Sequence, residues 1–386
     1  MIAPTPFFAD RGCHIRIAEE ARFLTRHKYK VKILTYHIGK NVRGLEVERV
    51  PNFFWYRQLG SDASLHKFYI DFFLLFKTAI TILSFKPTVI HCHLHEGALI
   101  GILLRPLFRG RVIFDCQSSL VEELFESGHL RKGSFVFRLI RFVEKNIYKF
   151  SQTIIVSNQY TMNELIKNFQ IPRKKIHLIA DGIDKTDKKV NHDRVKYFRK
   201  KMRLATGKKV IIYLGGLSRA HGIDHMISLA LVLSSLRKDV LWVLGGYPNE
   251  TFYRKKIAKK GLSDIMRIYG RVPSEDIYNF LSLGTHAISL KLFKTQGNLK
   301  LLHYSLAGLP IICYEQASNR AIIADKGFYL APNQSIKNQA KSLSYFLEIS
   351  EKDKKKNSRI LKKYILTHFS WSEIILSLEK IYYGES

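Results

Sequence analysis

Short apolar runs recur along the chain, separated by stretches in which apolar residues return every three or four positions. The first pattern predicts buried strands and the second helices. In the first half, strands are expected over 2–8, 31–36, 45–50, 88–94, 111–116, 153–157 and 176–179. Helices are expected over 13–26, 65–85, 96–107, 120–126, 134–149 and 161–168. The 13–26 helix sets Ile15, Ala18, Ala21, Phe23 and Leu24 against charged Arg16, Glu19, Glu20 and Arg22. The most apolar stretch, 68–85, is interrupted by Asp71 and Lys77 and reads as a buried helix with no transmembrane role. A polar, basic stretch over 185–209 breaks the pattern, with helical spacing over 194–202. Strands then resume at 210–214, 240–244, 266–269, 286–290, 311–314 and 328–330, with helices between. Strands alternating with helices imply parallel sheets covered on both faces. The expected organisation is an α/β domain over 1–185, a basic linker over 186–208 and a second α/β domain over 209–365. Ligands of such sheets sit at the carboxyl ends of the strands.

A length of 386 residues fits two domains, and 46% hydrophobic content supports two packed cores. The 63 Lys and Arg against 32 Asp and Glu leave a formal charge of +31, which predicts an anionic partner. No nucleic-acid signature accompanies the charge, and the cations are spread along the chain, which argues against nucleic acid. Cys13, Cys92, Cys116 and Cys313 have no metal-ligand spacing; Cys92 and Cys116 read as core, in a reducing compartment. The N-terminus carries no basic segment followed by an apolar run, so no secretory signal is expected.

Four strand-end loops carry candidate chemistry. Asp10-Arg11-Gly12 offers one glycine for close backbone approach. His93-Leu94-His95-Glu96 sets two histidines two apart, which share one face if the strand continues; no third ligand has a recognisable spacing, so no metal is expected. His95 and Glu96 read equally as polar binding groups or as helix caps. Gly215-Gly216, followed by Arg219 and His221, suits phosphate oxygens but lacks a P-loop ending. Thr295-Gln296-Gly297-Asn298-Leu299-Lys300 lies between a strand and a helix. That order brings bare amides, a helix N-terminus and a cation to one point, as an anion requires. No acidic pair stands where a divalent ion would be held beside a phosphate.

The order and content of these pieces resemble the retaining glycosyltransferases of family 4. The best-matched stretches are PTPFFADRGCHIRIAEEARFL, LIADGID, YLGGLSRAHGID, TQGNLKLLHYSLAGLPII and FSWSEIILSLEKIYYGE, and the resemblance covers nearly the whole chain. It implies a GT-B fold: two doubly wound Rossmann-like domains with an interdomain cleft, and a C-terminal helix over 366–386 crossing back to the first. The first domain would bind the acceptor and the second the nucleotide-sugar donor.

Carried over residue by residue, the resemblance implies donor contacts at Gly12, Gly215, Gly216, Arg219, His221, Thr295, Gln296, Gly297, Asn298, Leu299 and His303. It implies catalytic roles for His95, Glu96, Gln117 and Lys300. Arg219, Lys300 and the backbone N–H groups of 296–300 would stabilise charge growing on the leaving diphosphate. The diphosphate would take the acceptor proton, and no carboxylate nucleophile is needed. The chain departs from the family pattern at several points. Gly216 stands where an arginine is usual and His221 where a lysine is usual, Thr295 and His303 where two glutamates are often found, and Gln117 where a histidine is common. The expected function is transfer of a sugar from a nucleoside diphosphate to a glycan or polyprenyl- or lipid-linked acceptor, in polysaccharide or glycolipid synthesis. No metal and no cofactor are expected. The alternative is a non-catalytic relative that binds a sugar or lipid carrier.

The 131–150 stretch places Arg138, Arg141, Lys145 and Lys149 on one helical face, with Phe135, Leu139, Phe142 and Val143 on others. It resembles an interfacial helix, which suits a cytoplasmic protein held peripherally on an anionic inner membrane face. A core-packed helix with a solvated basic edge fits the same pattern.

Overall fold

The computed structural model describes residues 1–386 except 58, 60–65, 127–130, 132, 185–189, 293 and 385–386. Leu65, Lys132, Phe293 and the opening of the expected linker, 185–189, therefore lie outside the described residues. The chain divides into two compact units. The first comprises Met1–Gly182, Lys294–Gly297 and Trp371–Ser386; the second comprises Ile183–Phe293 and Asn298–Ser370.

Among the described residues the first unit holds a seven-stranded parallel sheet in the order β3-β2-β1-β4-β5-β6-β7. Its strands are β1 (Ile2–Ala3), β2 (Lys32–Thr35), β3 (Glu46–Arg49), β4 (Val89–His93), β5 (Arg111–Cys116), β6 (Thr153–Val156) and β7 (Ile176–Leu178). Its helices are α1 (Gly12–Arg26), α2 (His66–Phe85), α3 (Leu94–Leu103), α4 (Leu120–Glu126), α5 (Phe135–Phe150) and α6 (Gln159–Lys167). The second unit opens with α7 (His192–Lys201). Its six-stranded parallel sheet has the order β10-β9-β8-β11-β12-β13. These strands are β8 (Lys209–Leu214), β9 (Val240–Gly245), β10 (Met266–Gly270), β11 (His286–Ser289), β12 (Ile311–Tyr314) and β13 (Phe328–Leu330). Helices α8 (Ile223–Leu236), α9 (Glu250–Lys259), α10 (Ile277–Leu281), α11 (Leu299–Leu306), α12 (Ala317–Ile323), α13 (Ile336–Glu348) and α14 (Glu351–His368) complete it. The last helix, α15 (Trp371–Tyr383), returns to the first unit. There Trp371, Ile375 and Leu378 pack with Phe23 and Leu24 of α1.

Both sheets reverse strand order once, beside β1 and between β8 and β11. The loops leaving β1, β4, β8 and β11 therefore crowd the switch points where doubly wound sheets take ligands.

Several elements differ from the sequence expectation. The first strand is only Ile2–Ala3, while Phe7 and Phe8 are buried in the loop beyond it. Arg16 and Glu20 are 2% and 0% exposed, so the buried face of α1 carries two charges that its pattern assigns to solvent. Strand β4 ends at His93, and Leu94, at φ +62°, starts the turn into α3. His93 and His95 therefore do not share a strand face; His91 and His93 do. Helix α2 is not buried. The stripe Ile70, Leu74, Thr78 and Ile82 faces inward, while Phe68, Phe72, Phe76, Ile80 and Leu83 are exposed. It is long and apolar enough to cross a membrane, a property that core helices of soluble proteins share. The basic stretch beyond 189 is no free linker. Phe198 of α7 is fully buried against Tyr269 and Phe280, and Arg194 pairs with Asp276.

Candidate donor site

In the second unit the chain leaves β8 at Gly215 and runs over 215–222 into α8. A side chain at Gly215 has no room: a Cβ would lie 2.8 Å from Tyr213 Oη and 3.1 Å from Lys300 Cε. At Gly222, φ is +79° and a Cβ would fall 2.0 Å from the Leu290 carbonyl oxygen. Glycine thus lets this loop lie against the chain leaving β11. The His221 ring covers Gly216, and His221 Nδ1 lies 2.8 Å from Ser218 Oγ. Arg219 is exposed on the same loop.

Helix α11 starts just beyond β11, and the first-turn amides of Leu299 and Lys300 have no carbonyl one turn earlier. Tyr304 pins this helix to β8, its hydroxyl accepting from Leu214 N at 2.9 Å. Asn298 is 2% exposed and donates to Asn319 Oδ1 at 2.9 Å, so its side chain holds the helix start in place. Lys300 lies over the Tyr213 ring, with Nζ 5.2 Å from the centroid. Burial pushes the Lys300 amine down to about 7. The structure therefore brings Gly215, Gly216, His221, Leu299 and Lys300 together at the switch point of the second sheet. His303, one turn further along α11, meets Tyr278 Oη at 2.9 Å through Nδ1.

Thr295, Gln296 and Gly297 belong to the first unit. Thr295 is 4% exposed. Its amide donates to Glu122 Oε2 at 3.1 Å, and its hydroxyl also meets that carboxylate. Its carbonyl accepts from Asn158 Nδ2 at 2.8 Å and Thr161 Oγ1 at 2.7 Å. Gly297 is fixed by sterics, because a Cβ there would lie 2.2 Å from Asp181 Oδ2. The sequence holds no local signal for Glu122, Asn158 or Asp181 in this role, since the partners are more than a hundred residues away.

The remaining first-unit candidates separate. Gly12 is exposed at the start of α1 with open space around it. His95 is buried, its Nε2 3.1 Å from Tyr148 Oη and 3.5 Å from Glu144. Burial would lower its pKa, but Cys116 and Glu144 outweigh burial and push it up to about 10. His95 is thus a core cation spent on Glu144. Glu96, at the start of α3, faces Tyr36 and Asp71. Burial, with the Glu96 charge second, pushes the Asp71 carboxyl up to about 7. Gln117 Nε2 lies 3.3 Å from Asp115 Oδ2 and 3.4 Å from His93 Nδ1. It sits on a buried polar network.

Two family models match the chain: Glycosyltransferase Family 4 over residues 11–187, and Glycosyl transferases group 1 over residues 194–363. The chain belongs to these glycosyltransferases. Its fold is that of GT-B enzymes. It is similar to sucrose-phosphate synthase from Thermosynechococcus elongatus, at 15% identity, TM-score 0.80 and coverage of 99% and 97% of the two chains. It is similar to Anabaena HepE, solved with UDP and glucose, at 14% identity, TM-score 0.78 and coverage of 99% and 98%. It also resembles WaaG, a glycosyltransferase involved in lipopolysaccharide biosynthesis, at 15% identity, TM-score 0.73 and 99% coverage of both chains. A search of curated proteins returned no match.

Proposed function

We propose that this glycosyltransferase takes a nucleoside-diphosphate sugar and transfers the sugar, with retention, to a glycan or lipid-linked acceptor in cell-surface polysaccharide or glycolipid synthesis. The observation that carries the reading is the Lys300 amine beside Gly215, at the opening turn of α11. That point offers the diphosphate a cation, two backbone amides and a helix dipole. The charge of the leaving group is met there without a divalent ion at the diphosphate. Two similar structures support such a donor: Anabaena HepE has been solved with UDP-glucose and Arabidopsis starch synthase IV with ADP.

The acceptor side is read from the first unit's surface. On α5 the buried residues are Glu144, Ile147 and Tyr148, while Phe135, Leu139, Phe142 and Phe150 are exposed among Arg138, Arg141, Lys145 and Lys149. Helix α3 packs against both α2 and α5, and its Leu99 and Leu103 are exposed too. One layer thus carries an apolar face with cations at its margin, which suits an anionic bilayer on the cytoplasmic side. Co-sedimentation with vesicles should rise with phosphatidylserine content and fall on Phe72→Ser/Phe76→Ser/Phe142→Ser. Binding unaffected by either change rejects membrane attachment.

Transfer assays over UDP-, ADP- and GDP-sugars test the reaction, with loss of turnover in Lys300→Gln as the expected result. Thr295 and His303, standing where the family has glutamates, favour a second reading: a sugar-binding relative without turnover. Donor binding with neither transfer nor hydrolysis across the panel would establish it.

A further inference from the structure

Beneath α1, four side chains converge that the donor chemistry does not use. His91 and His93 project from the same face of β4, Asp115 stands opposite His93 on β5, and Glu20 comes from α1. None is more than 2% exposed. The two imidazoles stack with centroids 4.4 Å apart and planes 18° apart. One nitrogen of each is satisfied: His91 Nδ1 by Tyr382 Oη at 2.7 Å, and His93 Nδ1 by Asp115 Oδ2 at 3.1 Å.

The other atoms are not. His91 Nε2, His93 Nε2, Glu20 Oε2 and Asp115 Oδ1 have no hydrogen-bond partner, and Glu20 Oε1 has only its ion pair with Arg16. His93 Nε2 faces Glu20 Oε2 at 3.8 Å, and His91 Nε2 faces Asp115 Oδ2 at 3.9 Å, too far for hydrogen bonds. With the His93 Nδ1–H given to Asp115, its Nε2 lone pair faces the Glu20 carboxyl. Two buried acceptors facing each other cost free energy unless a proton or a metal ion lies between them.

Arg16 Nε lies 3.0 Å from both Glu20 Oε1 and Asp115 Oδ2, and Nη1 lies 3.0 Å from Asp181. One guanidinium faces three carboxyls, and burial favours the protonated form of Glu20, so an ion bound there would displace that proton. One atom from each of Glu20, His91, His93 and Asp115 can be chosen so that all four lie within 4.8 Å of one another. Around a zinc-type ion such atoms stand about 3.3 Å apart, so binding would draw the four side chains inward.

We propose that Glu20, His91, His93 and Asp115 bind one divalent transition-metal ion of the zinc type, which clamps α1 to β4 and β5. The Tyr382 hydroxyl fixes the His91 ring, as an outer partner of a metal-bound imidazole does. Tyr382 also lines a surface pocket of about 840 Å³ with Tyr29, Arg109 and Arg111. The proposal departs from the sequence expectation of no metal and concerns no ion at the diphosphate. It stands independently of the proposed reaction.

The test uses the untagged full-length chain, stripped with a chelating resin and then offered Zn²⁺ or Co²⁺. Elemental analysis should find about one ion per chain. The Co²⁺ form should show visible ligand-field bands without the intense thiolate charge-transfer absorption. Zn²⁺ should raise the unfolding midpoint by several degrees. His93→Gln and Glu20→Gln should each lose the ion. Should those variants fail to fold, X-ray absorption of the Zn²⁺-loaded wild type decides, with imidazole and carboxylate scattering as the expected result. A chain that takes up no Zn²⁺ or Co²⁺ even in large excess overturns the proposal and leaves a proton shared by Glu20 and His93. Ion retained by both folded variants, or thiolate ligation, overturns it equally.

Discussion

The Lys300 amine ties donor binding to pH. In the free protein burial holds it near 7, so above pH 7 it is mostly neutral. A diphosphate needs it charged, and the anion should return its pKa toward the ordinary value near 10.5. Binding above pH 7 must therefore take up a proton, and affinity falls as pH rises. Between pH 6.5 and 8.5 the dissociation constant of UDP-glucose, or of whichever donor binds, should rise up to about 25-fold, ~1.9 kcal/mol. The amine is only half-buried, so solvent screening trims this to about tenfold. Isothermal titration in two buffers of different ionisation enthalpy measures both the affinity and the proton taken up. Lys300→Gln should bind weakly with a flat profile, while His221→Asn should keep the slope. A wild type whose affinity is constant over this range, or a Lys300→Gln variant with the same slope, refutes the reasoning.

Other consequences are as direct. Glu122→Gln weakens the acceptor for the Lys294 and Thr295 amides and the Thr295 hydroxyl. It should cost about 1–3 kcal/mol in urea unfolding, and an unchanged midpoint would count against that anchor. Gly297→Ala drives a methyl into the Asp181 carboxylate, which also holds Arg16. A loss of about 1–3 kcal/mol is expected in thermal melts. The raised pKa of His95 predicts alkaline weakening. The stability it contributes is whole below its ordinary 6.5 and fades as pH climbs toward 10. His95→Gln, which leaves Glu144 to Leu120 N and Tyr148 Oη, should cost about 1–3 kcal/mol at pH 7 and remove that alkaline component from urea midpoints.

The two sheets were legible because each strand is a short apolar run between helix-length segments, and the donor loops because glycines and cations follow strands. What escaped needs three dimensions. The i, i+2 histidine pair is visible in the sequence, but choosing His91 and His93 over His93 and His95 requires knowing where β4 stops. Arg16 and Glu20 look like a solvent-facing pair at i, i+4, because isolated charges seldom enter a core; here each is buried because the other side supplies partners. Helix α2 carries apolar residues on most of its circumference, so composition alone cannot say that only its Ile70–Leu74–Thr78–Ile82 stripe packs. In the basic stretch near residue 190, the buried Phe198 and the Arg194–Asp276 pair fix α7 through partners more than seventy residues away. The Glu122 anchor for Thr295 spans 173 residues and leaves no periodicity to read.

The chain is woven, for the first unit borrows 294–297 and 371–386 from beyond the second unit's start. Cutting after Gly182 would strand the Thr295 plug and the Trp371 lid on the wrong fragment, leaving Glu122 and Phe23 bare. Separately expressed halves should therefore be poor solo folders, and co-expression should rescue them only when the downstream piece carries both borrowed segments.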